Sequence, residues 1–298
     1  MSRKIAALLQ QFRSNNGSNL LYPAAPEHLR LDSSFLEILQ EATEEDLSDQ
    51  DLDSLITFAA EQCIRDVLEF NQYLQISDSA RNRLKDIYRM TWETIQQTTD
   101  ISAVLRHQHF PALQVWLAEL YPVEISSKLS TRQTISAVCC SEYSPALQLV
   151  VLNVDIANLR APVLDIGCGT SAALVRYLQS RDIEAAGFDR IVDTETESIR
   201  CGDWFTYDYA VHPWGTIISH MAFSNHYRYA VRYDQDMRRR LDTVCSRILG
   251  ALSPGGRFIY APAVPELESG VDENRYRILQ WHSPEGFTST VIERKAIP

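Results

Sequence analysis

Apolar residues follow two different rhythms along this chain. In the first half they recur every three or four positions. Leu55, Ile56, Phe58, Ala59, Ile64, Val67, Leu68 and Phe70 do so within Ser54 to Tyr73. Ala80, Leu84, Ile87, Tyr88, Met90, Thr91 and Ile95 do so within Ser79 to Thr98. That period gathers them on one face of a helix. A third helical segment is expected from about Ile101 to Leu120. No glycine lies between Gly17 and Gly167, which suits stacked helices better than a sheet with tight turns. Ser144-Pro145 predicts one further helix start, with Ser144 as N-cap and Pro145 in the first turn.

Beyond residue 160 the pattern changes to short, unbroken apolar runs. Val163 to Ile166, behind Pro162, predicts a buried parallel strand. Gly167 and Gly169 predict a turn, and Ser171 to Gln179 a helix capped by Ser171. Ile183 to Phe188 reads as the second strand, closed by Asp189. Thr216 to Phe223 reads as the fourth strand, Asp236 to Leu252 as an amphipathic helix and Arg257 to Ala261 as the fifth strand. Tyr276 to Trp281 and Thr288 to Arg294 are expected to close the sheet as an antiparallel pair. Strands alternating with helices predict an α/β fold with a doubly wound, seven-stranded, mostly parallel sheet, preceded by an α-helical domain. The expected domains are residues 1–140, a helical cap for a substrate, and residues 141–298, a ligand-binding domain.

The glycine turn carries the first chemical information. Glycines let the backbone approach a ligand, and Asp189, twenty residues after Gly169, is a carboxylate placed for ribose hydroxyls. A nucleoside-containing cofactor is therefore expected. Gly167-x-Gly169-x-x-Ala172 also fits the relaxed dinucleotide fingerprint. Asp165 weighs against that reading, because its charge at the strand tip would meet a pyrophosphate. A ligand with an amino group and a cation suits the position better.

With these residues in place, the chain from about residue 140 to 298 resembles the class I S-adenosylmethionine-dependent methyltransferases, a Rossmann-like family whose first motif is an acid-x-Gly-x-Gly-x-Gly turn. The resemblance implies that Asp165, Gly167 and Gly169 face the methionine part of S-adenosyl-L-methionine and that Asp189 takes its ribose hydroxyls. Gly202-Asp203-Trp204-Phe205 is similar to the stretch after the family's third strand, which implies that Asp203 bonds the adenine amine and Trp204 packs on its ring. Leu252-Ser253-Pro254-Gly255-Gly256 is similar to the Lys-Pro-Gly-Gly turn before the fifth strand. Ser171 departs from the pattern, standing where a third glycine is usual, and leaves less room beside the ligand.

Charge narrows the substrate. The chain has 28 basic and 39 acidic residues, net −11. Residues 1–150 hold 12 of the basic and 20 of the acidic ones. Nucleic-acid affinity comes largely from Lys and Arg neutralising phosphates, so DNA and RNA are disfavoured. The run from Glu41 to Asp53 reads as a solvated acidic loop. The six cysteines show no Cys-x-x-Cys spacing, and neither a metal site nor a disulfide framework is expected. Cys168 reads as a small residue that fits the turn. No signal peptide and no membrane-spanning run is evident, so a cytoplasmic protein is expected, with self-association as a homodimer left open.

Candidate catalytic groups cluster after the fourth strand, in Ser224-Asn225-His226-Tyr227-Arg228-Tyr229. His226 is read as a base or acceptor-orienting group, against the alternative that it only bonds a loop carbonyl. Asn225 would position substrate or cofactor. Tyr227, Tyr229 and Trp214 could turn a ring face to a cation, though such residues are more often core. Ser219 is assigned to the cofactor, His220 to a satisfied buried imidazole, Tyr143 and Arg132 to a lid, and His282 to the surface. The place after the fourth strand holds Ala222-Phe223-Ser224-Asn225 in place of the Asn/Asp-Pro-Pro-aromatic run that amino-methylating enzymes on DNA and some proteins carry, which disfavours a nucleic-acid base or a glutamine side chain. The helical front half resembles the caps that small-molecule methyltransferases fold over their acceptors, which implies a small metabolite as acceptor. The expected activity is methyl transfer to a small molecule. The alternatives are cyclisation of the cofactor to azetidine-2-carboxylate with release of methylthioadenosine, and a non-catalytic binding module.

Overall fold

The computed structural model describes residues 31–44, 47–120, 143–283 and 286–296. Arg132, Cys139 and Cys140 lie outside them. The chain divides into two compact units, Met1–Cys140 and Ser141–Pro298.

In the first unit the described elements are helical: α1 (Ser33–Thr43), α2 (Asp49–Phe70), α3 (Asp78–Ile95), α4 (Ile101–Val104) and α5 (Phe110–Glu119). A single π-helical turn, Leu105–His109, joins α4 to α5. Polar caps start the first four: Asp32, Ser48, Ser77 and Asp100 each accept a backbone N–H from the first turn, a bond worth about 1 kcal/mol per helix. Leu55, Ala59, Cys63 and Val67 of α2 are buried, as are Leu84 and Tyr88 of α3 and Leu113 and Trp116 of α5. The indole N–H of Trp116 donates to Ala80 O at 2.8 Å. The acidic run is not all loop. Glu41 lies in α1, while Asp49, Asp51 and Asp53 lie in the first turns of α2, where the helix dipole favours negative charge.

The second unit begins with α6 (Pro145–Leu152), capped by Ser144 as expected. It continues through β1 (Val163–Ile166), α7 (Ala173–Gln179), β2 (Ala185–Asp189), β3 (Ile199–Cys201), β4 (Trp214–His220), α8 (Phe223–Tyr233), α9 (Gln235–Ala251), β5 (Leu252–Ala261), α10 (Pro265–Glu268), β6 (Tyr276–His282) and β7 (Thr288–Arg294). The seven strands pair in the order β3-β2-β1-β4-β5-β7-β6. The first five are parallel, and β7 runs antiparallel to both β5 and β6. This is a doubly wound, mostly parallel sheet, and its order reverses between β1 and β4. Parallel strands are covered on both faces. Val163, Ile218 and Ile259 pack on one face with Leu152, Leu174 and Val175. Leu164, Ile166, Ile217 and Phe258 pack on the other with Phe223, Tyr227, Leu241 and Ile248.

Three boundaries differ from the sequence reading in ways that matter for the site. Ala172, with φ 49°, is the N-cap of α7, and Ser171 is not. β4 stops at His220, three residues short of the expected Phe223, because Met221 turns to φ 56° and breaks the ladder. The segment Ser224 to Tyr229 is therefore the first turns of α8 and not a loop. The strand before it starts in a crowded place. A Cβ on Gly215 would lie 2.4 Å from Arg160 O and 2.5 Å from Ala161 O, backbone atoms that cannot swing aside. Gly215→Ala should accordingly lower stability by about 1–3 kcal/mol, read as a fall in the urea midpoint at unchanged m. An unchanged midpoint would show that the β1 entry yields.

Candidate functional site

The crevice of an open α/β sheet lies beyond the carboxyl ends of the strands where the order reverses, here β1 and β4. The chain leaves β1 through Gly167 and Gly169, at φ 82° and 77°. A Cβ on Gly167 would lie 2.4 Å from Ala222 Cβ and 3.7 Å from Trp204 Cζ2. Glycine is thus required there by both conformation and space. Gly167 N and Cys168 N donate to Phe188 O at 2.9 and 3.2 Å. Gly169 N donates to Asp189 Oδ2 at 3.0 Å, and Ile191 N to Asp189 Oδ1 at 3.2 Å. Asp189 therefore holds the glycine turn itself. Each of its oxygens keeps a lone pair for a ligand hydroxyl.

Asp165 and His220 share one face of the sheet at the ends of β1 and β4. Asp165 is paired with Ile218 across the β1–β4 ladder, and laterally paired residues point to the same face. His220, two residues after Ile218, shares that face. Asp165 is 2% exposed, and its Oδ2 has no hydrogen-bond partner among the described residues. Burial, and then the charge of Asp189, push its pKa up to about 7. Burial likewise raises Asp189. His220 is 9% exposed, with a buried Nε2 that also lacks a partner. Its burial lowers the pKa to about 4, so the ring is neutral near pH 7. Tyr143, just before α6, meets this ring edge-on at 5.0 Å.

Asp203 and Trp204 close the side. Gly202 N donates to Asp189 O at 3.1 Å, which brings the end of β3 beside the end of β2. Asp203 caps its own turn by accepting from Phe205 N at 2.9 Å, and its other oxygen faces Arg190 Nε at 4.0 Å. Trp204 is half-buried against Phe223 and His226, with ring centroids 5.7 and 4.4 Å away. Two non-glycine residues in left-handed conformation, Ala172 and Met221, flank the glycine turn. Strained backbone of this kind gathers at functional sites.

The strand ends thus bring together Asp165, Gly167, Gly169, Asp189, Asp203 and Trp204. They do not bring in every residue named from the sequence. Ser219 is wholly buried, and its hydroxyl donates to Ile166 O at 3.1 Å while accepting from Phe223 N at 2.9 Å. It staples β1 to α8 and is not open to a ligand. Tyr227 is also wholly buried, on the opposite face of the sheet, and its hydroxyl donates to Asp242. Trp214 is core, its indole N–H bound to Tyr209 O at 2.9 Å. His226 is buried, with Nδ1 donating to Ala222 O at 2.9 Å. It braces Trp204 and the turn at Ala222. Asn225 is partly exposed on the first turn of α8, and His282 is exposed, bonded to Thr288. His220 is not the satisfied imidazole expected. Its kinship with Asp165 was hidden because strand register is not written in a single run of residues.

No family model and no curated protein matches the chain. Similar solved structures include a methyltransferase from Pyrococcus furiosus, at 16% identity and TM-score 0.37, covering 51% of this chain and 83% of that one. The N-methyltransferase NodS from Bradyrhizobium japonicum, crystallised with S-adenosyl-L-homocysteine, is 10% identical at TM-score 0.36, covering 50% and 86%. The plantazolicin methyltransferase BpumL, also with that nucleoside, is 10% identical at TM-score 0.34, covering 51% and 84%.

The raised pKa of Asp165 has a consequence for stability. An aspartate unfolds to a pKa near 3.9. Between that value and about 7 the folded chain holds a proton the unfolded chain has lost, so this group's contribution to stability falls as pH rises through the window and is constant above it. Asp165→Asn should therefore be more stable than the parent at pH 8, by something on the order of 2–4 kcal/mol, with the gain shrinking toward pH 4. Denaturant titrations of both proteins at pH 4, 6 and 8 measure this. A gain that does not vary with pH would contradict the shift.

Proposed function

We propose that this chain is an S-adenosylmethionine-dependent methyltransferase acting on a small-molecule metabolite, with residues 141–298 as the cofactor-binding unit and residues 1–140 as the helical unit that selects the substrate. One observation supports this reading above the rest. Two buried polar atoms, Asp165 Oδ2 and His220 Nε2, lie without partners on one face of the sheet at the ends of β1 and β4. Leaving a polar group buried and unpaired costs about 1–3 kcal/mol, so a pair of them at the switch point suits a crevice with two occupants, a cofactor that satisfies one and an acceptor that satisfies the other.

The residues fit the cofactor. Burial, and then the charge of Asp189, favour the protonated form of Asp165, and a cation beside it restores its charge. S-adenosylmethionine carries two positive groups, and when bound it supplies a methyl group already activated by its sulfonium. Asp165 would take the cationic methionine end. The backbone at Gly167 and Gly169 would lie against it. Asp189 would accept from the ribose hydroxyls, Asp203 from the adenine amine, and Trp204 would cover the ring.

What remains for the protein is positioning, which can supply about 7–11 kcal/mol in favourable cases. His220 is neutral near pH 7 and offers its ring nitrogen to an acceptor hydroxyl or amine, with Tyr143 limiting the ring's freedom. A proton leaving the acceptor passes to this ring or to water. Asn225 at the start of α8 would orient the acceptor's far side. His226 acts through Trp204 and is a positioning residue.

Incubation with S-adenosylmethionine and fractionated metabolites, followed by mass spectrometry, should yield S-adenosylhomocysteine and a singly methylated product. Methylthioadenosine, or cofactor binding with no turnover in any fraction, would overturn the proposal. Asp189→Ala should weaken cofactor binding by about 1–3 kcal/mol in calorimetry. With an acceptor in hand, His220→Ala should lower kcat about 10²-fold at nearly unchanged cofactor Kd, and His226→Ala should change kcat far less. Equal losses in the two variants would remove His220 from the acceptor site.

A further inference from the structure

The sheet carries one more buried polar atom without a partner, and strand register says where it lies. Asp165, Ile218, Ile259 and Val291 pair in turn across β1, β4, β5 and β7, so they form one lateral row on a single face. One step nearer the carboxyl ends of the parallel strands lies a second row. His220 pairs with Ala261, and Ser289, two residues before Val291 on the antiparallel β7, falls beside Ala261. Trp281 stands opposite Ser289 on β6 and ends the row half-buried at the edge of the sheet.

The composition changes between the two rows. The first is aliphatic beyond Asp165, whereas the second reads His, Ala, Ser, Trp. Ser289 is 1% exposed, and its Oγ is buried with no hydrogen-bond partner among the described residues. Alanine or valine would fill such a position without leaving a hydroxyl unpaired, so packing does not account for the serine. His220 Nε2 is in the same condition. Neighbouring strands lie about 4.8 Å apart, which puts the backbones of His220 and Ser289 roughly 10 Å apart with the Ala261 methyl between them. Hydrogen bonds of about 3 Å at each end leave a separation of about 4 Å or more between the two polar atoms of a molecule that bonds both.

We propose that His220 and Ser289 are the two ends of one acceptor site, whose ligand is an uncharged molecule with its reacting hydroxyl or amine at His220, a second hydrogen-bonding group at Ser289 and an apolar body between them over Ala261. This rests on the reading of His220 as the acceptor's partner and adds the chemical class of the substrate to it. The Ser289 hydroxyl both donates and accepts, so the far group is a carbonyl, an ether or a hydroxyl. A charged group there would find no counter-ion on β5, β6 or β7. The charged residues of this face on those strands, Arg257, Arg277 and Glu293, lie toward the opposite end and bond one another, each arginine reaching Glu293 at 2.9 Å. Trp281 supplies apolar surface beside Ser289.

The probes are 4-hydroxyacetophenone, which has a polar group at each end, 4-isopropylphenol, which has nearly the same shape without the carbonyl, and 4-hydroxybenzoate, which carries a charge. Titrated into the full chain saturated with S-adenosylhomocysteine, 4-hydroxyacetophenone should bind about tenfold more tightly than either of the others. In Ser289→Ala that preference should vanish while the affinities for 4-isopropylphenol and for S-adenosylhomocysteine stay as they were. The urea midpoint of this variant should not fall, since it removes an unpaired hydroxyl, so a lost preference is not lost folding. No saturable binding of 4-hydroxyacetophenone, equal affinity for the three probes, or a preference that survives Ser289→Ala would each overturn the site. Transfer of a methyl group from S-adenosylmethionine is measured apart from binding. A preference that depends on Ser289 without any transfer would uphold the site and count against methyl transfer, whereas transfer indifferent to Ser289 would do the reverse.

Discussion

Asp165 sits where β1 ends, 2% exposed, with one oxygen unbonded and a second carboxylate close enough to raise its pKa. Burying an unpaired carboxyl is unfavourable, and folded chains retain such a group only where the surroundings over-determine it. Here the over-determination is visible. β2 and β4 clamp β1 from both sides, and both faces of the sheet are filled with aliphatic and aromatic side chains. The glycine turn is tied down by Phe188 O and by Asp189. The rest of the second unit acts as a frame that keeps this one carboxyl in place.

The frame also explains why the neighbouring residues divide as they do. A strand sends alternate side chains to opposite faces. Asp165, Ile218 and His220 fall on the face of α6 and α7, while Ser219 goes to the other side and is consumed in stapling Ile166 to Phe223. α8 packs over that second face with Phe223 and Tyr227 inward. A tyrosine that looked catalytic by its place in the chain is therefore structural, and a histidine expected to be a satisfied core imidazole has a buried, unpartnered Nε2 at the end of β4. The left-handed residues Ala172 and Met221 hold the two loops that border the opening.

Much of this was legible in the residues alone, and the limits have physical causes. The rhythm of apolar positions placed the helices of the first unit and the strands of the second, because burial on one face or two leaves a period. Gly167 and Gly169 announced their turn, since few other residues tolerate φ near 80°. The end of β4 was misplaced because Met221, Ala222 and Phe223 continue the apolar run while the backbone has already turned. His220 was misjudged because its importance depends on the β1–β4 register, a long-range property. The π-helical turn at Leu105–His109 was likewise invisible, as it inserts into a segment whose composition is that of an ordinary helix.

The account stands or falls on Asp165 exchanging its proton for a cation. Calorimetry of S-adenosylmethionine binding at pH 6, in buffers of different ionisation enthalpy, measures that exchange. At this pH an amino group is already protonated, whereas a carboxyl with pKa about 7 is mostly neutral. Binding should release close to one proton, the release should dwindle toward pH 9, and Asp165→Asn should abolish it. Tight binding with no proton released, or a release unchanged in Asp165→Asn, would contradict the account.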